Sequence, residues 1–257
     1  MSLKELLVSV DASTSGLERM RFALDLARSH DAYLTAYYSS PTVSESSEGS
    51  PGEMAEAIEQ QFETELTARH LKGGWMLSGD PIVEDLVDRI KYTDLAILGL
   101  GSPGSGEPDP QGFKISDVVL SCGRPLLATP VSRLPMKFSK VLVAWNGSCE
   151  ATRALHDAIP LMKGAQNIWI TSIGPDGPAL AKRAAAHLQR YGLSAAVDLN
   201  PPFEWDIGSE LMERAAMFEA DLVVAGAYGH SKLAENLFGG ASNALLEQML
   251  VPILVSH

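Results

Sequence analysis

Two stretches of this chain repeat one another, and that duplication narrows its possible folds more than anything else in the sequence. The first half opens Lys4-Glu5-Leu6-Leu7-Val8-Ser9-Val10-Asp11-Ala12-Ser13, and the second opens Ser139-Lys140-Val141-Leu142-Val143-Ala144-Trp145-Asn146-Gly147-Ser148. In both, an apolar run ends at Asp or Asn, a Ser follows two residues on, and a helical pattern begins. Further along, Asp94-Leu95-Ala96-Ile97-Leu98-Gly99 pairs with Asp221-Leu222-Val223-Val224-Ala225-Gly226, and Arg124–Ala128 pairs with Val251–Val255. A supersecondary pattern repeated in order implies homologous domains. They are expected over 1–133 and 138–257, joined near Pro130 to Lys137. The 257 residues suit two domains of roughly 100–150 residues each.

Each half alternates strand and helix. Strands are expected near 4–10, 32–38, 73–78, 94–99 and 125–129, then near 139–145, 167–173, 194–199, 221–226 and 252–256. Helices are expected near 14–29, 53–71, 81–91 and 113–121, then near 149–162, 178–191, 206–219 and 238–249. Short Val-, Ile- and Leu-rich runs without polar alternation suit parallel strands covered on both faces. The βα alternation implies right-handed crossovers and a doubly wound α/β sheet. Ser13 or Ser15 and Ser148 are candidate N-caps, and Ser15 with Glu18 has the spacing of a capping box. A flavodoxin-like strand order, 3-2-1-4-5, sets the C-terminal ends of the first and fourth strands at the switch point where ligands bind, which places Asn146 and Gly226 there.

Gly226-Ala227-Tyr228-Gly229-His230-Ser231 follows the fourth strand of the second half, and Gly239-Gly240-Ala241-Ser242 precedes its last helical pattern. Glycine lets backbone approach an anion closely, and a helix start presents unpaired N–H groups with the positive end of its dipole. Together they suit phosphate. The spacing Gly-x2-Gly-x9-Gly resembles the ATP-binding loop of the universal stress protein family, as do the Val-Asp-x-Ser opening of the first strand and the closing strand after Pro125 or Pro252. The family's loop usually ends in two hydroxyl residues around a small apolar one. Here Gly240 stands at the first hydroxyl position, Ala241 follows, and Ser242 keeps the second.

The resemblance spans the whole chain in tandem. It implies two flavodoxin-like, adenine nucleotide alpha hydrolase-like domains, each with a five-stranded parallel sheet in the order 3-2-1-4-5. It implies an adenine nucleotide, ATP or AMP, in the C-terminal domain, with Mg²⁺ accompanying a triphosphate. Ala144, Trp145 and Asn146 would end the first strand of that site, and Ser172 and Ile173 would line the base pocket. Ala225, Gly226, Tyr228 and Gly229 would form the ribose and phosphate turn, His230 and Lys232 would offset phosphate charge, and Gly239, Gly240, Ala241 and Ser242 would bind phosphate. Asn146 replaces the family's usual Asp, giving up its charge while adding two donors. Family members dimerise through their last strands, so the two halves are expected to form an intramolecular pseudo-dimer through Leu126 to Thr129 and Ile253 to Ser256, with a homodimer as a further possibility.

The first half departs from that pattern. Ser102 stands where the second glycine belongs, Pro103, Pro108 and Pro110 remove donors, and Glu107 and Asp109 repel phosphate, leaving Lys114 as the nearby cation. Triphosphate binding is not expected there. Asp11 reads equally as a retained ligand residue or as a cap of the first helix. Pro41 to Glu53, rich in Ser, reads as a mobile loop before the second helix.

A formal charge of −12 disfavours nucleic acid and anionic membrane as partners. No apolar run approaches the ~20 residues that span a bilayer, and the N-terminus lacks a signal-peptide layout, so a cytoplasmic location is expected. Cys122 and Cys149 read as buried or bystander thiols. No Walker lysine loop, dinucleotide fingerprint, nucleophile elbow or adenylyl-transfer signature occurs. The histidines at 30, 70, 156, 187, 230 and 257 show no metal-ligand spacing in sequence, and His156 reads as packing or surface. The expectation is a nucleotide-binding protein of stress sensing or signalling, not an enzyme. A nucleotide-independent interaction module and a slow ATP hydrolase are the alternatives.

Overall fold

A computed structural model of the chain describes residues 2–39, 51–78, 82–100, 113–131, 134–173, 176–199, 207–227 and 250–257. It divides into two units, Ser2–Met136 and Lys137–His257. Tyr228, Gly229, His230, Lys232, Gly239, Gly240, Ala241, Ser242 and the helix expected over 238–249 lie outside the described residues, as do Ser102, Pro103, Glu107, Pro108, Asp109, Pro110 and nearly all of the expected Ser-rich loop.

The first unit carries β1 (Glu5–Val10), α1 (Thr14–His30), β2 (Tyr33–Tyr38), α2 (Pro51–Arg69), β3 (Gly73–Leu77), α3 (Ile82–Ile90), β4 (Leu95–Gly99), α4 (Ile115–Cys122) and β5 (Leu126–Thr129). Its strands pair in parallel in the order β3-β2-β1-β4-β5. The second unit carries β6 (Lys140–Ala144), α5 (Cys149–Met162), β7 (Asn167–Thr171), α6 (Gly177–Gln189), β8 (Ala196–Asp198), α7 (Ile207–Met217), β9 (Leu222–Gly226) and β10 (Ile253–Ser256). Its order is β8-β7-β6-β9-β10, again all parallel. The strands of each unit therefore have the 3-2-1-4-5 arrangement.

The central strands are covered on both faces, which explains their unbroken apolar runs: Leu6, Val8, Ile97, Val141, Leu142, Leu222 and Val223 are fully buried. β8 spans three residues against the six expected, and this outer strand is only half-covered to exposed. One device recurs at the start of each sheet. Asp94 accepts hydrogen bonds from the Lys4 and Glu5 amides (2.6 and 3.1 Å), and Asp221 accepts from the Ser139 and Lys140 amides (2.8 and 2.9 Å). A carboxylate on backbone donors makes a strong bond and fixes the register between the first and fourth strands.

The strand-to-helix junctions also match. Ser13 Oγ accepts from the Gly16 amide at 3.0 Å, and Ser148 Oγ accepts from the Ala151 amide at 3.1 Å. Ser13, not Ser15, is thus the N-cap of α1, and the residue at the third helical position is Gly16, which rules out the Ser15–Glu18 capping box. The reason lies one turn earlier. Asp11 Oδ1 accepts from the Ser13 amide at 2.8 Å, and this Asx turn sets Ser13 in the extended geometry that a cap needs. Asn146 Oδ1 and the Ser148 amide repeat the turn at 3.0 Å.

Candidate functional site

The C-terminal ends of β6 and β9 define the switch point of the second unit. Ala144 closes β6, and Trp145 continues it by donating its amide to the Thr171 carbonyl (2.8 Å), with the indole half-buried. Asn146 then turns the chain. Its Oδ1 is committed to Ser148, so its Nδ2 carries the donors that an Asp would lack.

Gly226 ends β9, and its lack of a side chain is required by packing. A Cβ there would stand 2.3 Å from the Ala151 nitrogen and 2.6 Å from the Glu150 carbonyl carbon. The first turn of α5 therefore presses directly on the end of β9. Ala225 and Ala227 on either side are buried, and the Ala227 amide donates to the Ser256 carbonyl at 2.8 Å. His257 donates from Nδ1 to the Ala227 carbonyl at 3.0 Å, fixing the last described residue before Tyr228.

The second strand supplies an orphaned polar atom. Ser172, just past β7, is 2% exposed, and its hydroxyl has no hydrogen-bond partner among the described residues. The adjacent Thr171 hydroxyl is satisfied, donating to Asp198 Oδ2 at 2.8 Å. Arg214 bridges Asp198 (3.5 Å) and Glu210 (2.7 Å), so both carboxylates find their ion-pair partner without Ser172. Gly177, at the start of α6, lies against Ser172: a Cβ there would come within 2.1 Å of the Ser172 carbonyl oxygen. Ile173 is half-buried beside it. An unpaired buried hydroxyl costs on the order of 1–3 kcal/mol, and this one lies at the C-terminal end of the sheet, the end at which open α/β folds bind ligands.

The equivalent corner of the first unit is built differently. Asp11 and Arg19 are 7% and 2% exposed and form an ion pair, Arg19 Nη2 to Asp11 Oδ2, at 2.8 Å. Arg19 Nε donates to the Ser9 carbonyl at 2.8 Å. The guanidinium covers Gly99, where a Cβ would meet Arg19 Nη1 at 2.2 Å. Asp11 is both a turn-former and the partner of a buried cation. Sequence reading missed Arg19, although a charge within the buried face of α1 (Met20, Ala23, Leu24 and Ala27 beside it) signals a hidden partner. It also missed Glu150, buried in the first turn of α5, and His257.

Among the described residues no three His, Cys, Asp or Glu side chains gather as a metal site, and no helix is long and apolar enough to cross a membrane. Both cysteines are free. Cys122 is buried, which pushes its thiol above the usual range, whereas Cys149 is exposed.

The parallel doubly wound arrangement in the order 3-2-1-4-5 is the one found in structures of universal stress proteins. Solved structures bear this out. A universal stress protein from Archaeoglobus fulgidus DSM 4304 superposes with a TM-score of 0.72 at 16% identity, covering 98% of this chain and 95% of that one. A putative universal stress protein from Pseudomonas aeruginosa UCBPP-PA14 gives 0.69 at 16% identity, covering 99% and 93%. A functionally unknown protein from Pseudomonas aeruginosa PAO1 gives 0.66 at 16% identity, covering 99% and 92%. No protein-family model and no curated protein matches the sequence.

Proposed function

We propose that this chain is a tandem universal stress protein whose second unit binds an adenine nucleotide, ATP or AMP, at the C-terminal ends of β6, β7 and β9, and that it acts in stress sensing or signalling through the bound state. The observation that supports the reading is the buried Ser172 hydroxyl at this end of the sheet, unpartnered among the described residues. The Asn146 amide supplies donors for a base or ribose, and Gly226 leads into the glycine-spaced segment ending at Ser242. Mg²⁺ would arrive with a triphosphate. The first unit is proposed to bind no nucleotide, because the Arg19–Asp11 pair takes up the corresponding corner. The two units are proposed to associate as a pseudo-dimer within the chain, in the cytoplasm, and no turnover is expected.

Calorimetry on the full chain with ATP and with AMP tests this. One nucleotide is expected to bind per chain. Ser172→Ala is expected to weaken binding by about 0.5–1.5 kcal/mol, roughly 2- to 12-fold, and Gly229→Trp is expected to remove it with the fold intact. No heat from the unsubstituted protein would sink the nucleotide reading in favour of a nucleotide-independent interaction module. Phosphate release from Mg²⁺-ATP would make the protein an enzyme instead.

A further inference from the structure

Away from the switch point, on α5 and α6, two histidines far apart in sequence meet. His156 Nε2 and His187 Nε2 lie 3.0 Å apart, with ring centroids 4.9 Å apart and planes at 69°. His156 also places Nδ1 2.8 Å from the Thr152 carbonyl oxygen. A carbonyl only accepts, so the proton of His156 sits on Nδ1, and its Nε2 presents a lone pair. His187 Nε2 therefore carries the hydrogen of the contact between them.

We propose that His156 and His187 form a two-histidine site for a late divalent transition metal, Zn²⁺ or Cu²⁺, that clamps α5 to α6. A metal-ligating histidine typically donates its other ring N–H to a backbone carbonyl, which fixes tautomer and ring orientation, and His156 already does so with Thr152. With metal–nitrogen distances of about 2.0–2.1 Å, donors 3.0 Å apart subtend about 95° at the ion, an angle that adjacent positions of a metal's coordination sphere can adopt. On binding, the ion takes the place of the hydrogen on His187 Nε2, and that proton moves through solvent to Nδ1, leaving both rings neutral. Burial, His156 and Arg190 hold His187 below the ordinary histidine range. His156 is exposed and His187 only half-buried, so an ion and its completing waters have access. Arg190 adds a nearby positive charge, which the net charge of −12 opposes.

The first unit joins its corresponding helices by other means. Arg69 of α2 pairs with Asp25 of α1 at 3.3 Å and with Glu65, so an ion pair stands where the second unit has two imidazoles. The histidine contact is thus specific to the second unit.

The test is calorimetric titration of the full, chelator-treated chain with Zn²⁺ alone, repeated with His156→Gln and His187→Gln. One ion is expected per chain, with affinity falling roughly 10-fold or more in each variant while circular dichroism stays unchanged. Cys149→Ser, on the same helix, is expected to leave the affinity as it was. Cu²⁺ titrated into the same proteins should show a paramagnetic resonance spectrum with coupling to two imidazole nitrogens, lost in either variant. Equal Zn²⁺ affinity in the parent and both glutamine variants, or no binding by the parent, would overturn the site.

Discussion

The corner where β1 meets α1 and the corner where β6 meets α5 share a backbone and differ in charge. Both use a side-chain oxygen to turn the chain, at 2.8 Å from Asp11 and 3.0 Å from Asn146, and both cap the helix with Ser. Asp11 is answered by Arg19, while the residues aligned with them in the second repeat are Asn146 and Ala154, the latter 1% exposed. Anion and cation have disappeared together. The turn needs only an acceptor, which Asp and Asn both provide, so the charge at this corner varies without disturbing the junction. A buried charge needs its counter-charge, so the two positions change as a pair.

That comparison can be broken by transplanting one corner into the other. Arg19→Ala strands a buried carboxylate and is expected to destabilise the first unit by about 3–5 kcal/mol. The double variant Asp11→Asn with Arg19→Ala, which copies the second unit, is expected to recover most of that loss in denaturant titration. If the double variant is as unstable as the single one, the two corners are not interchangeable.

Gly226→Ala comes next. Its methyl would collide with backbone of α5, which cannot rotate away as a side chain can, and a loss of about 1–3 kcal/mol is expected by the same titration. Gly99→Ala meets the flexible Arg19 instead and should also loosen the Asp11 contact, so combining it with Arg19→Ala should cost less than the sum. Strict additivity would contradict the packing described.

The smallest expected effect separates the helix pairs. In the folded protein, burial, His156 and Arg190 lower the pKa of His187. Its contribution to stability is complete above the unfolded value of about 6.5 and is lost as the pH falls through the lower folded value. Melting temperature measured in chelator from pH 7.5 to 5 should fall less steeply in His187→Gln than in the parent. Parallel curves would remove the histidine contact from the account.

Much of the architecture could be read in advance. The unalternating runs around Leu6, Ile97, Val141 and Val223 gave strands within a residue or two of where they lie, and α5 occupies the expected 149–162. The Ser148 cap was visible because a cap is made between near neighbours. Arg19 was hidden because its partners, Ser9, Asp11 and Gly99, come together only when α1 packs on the sheet. His156 and His187 stand 31 residues apart, and nothing periodic in sequence joins them. The resemblance placed Ser172 at the base pocket, but that its hydroxyl is buried and unpartnered among the described residues depends on the packing of α6 against the end of β7. Tyr228, Gly229, His230, Gly239, Gly240, Ala241 and Ser242 rest on the sequence pattern alone.

The missing side chain at Gly226 has a mechanical meaning. Backbone bears on backbone where β9 stops and α5 starts, with no rotatable group between them to yield. A side chain added at the end of this strand would therefore have to displace the first turn of the helix whose exposed face, further along, carries His156.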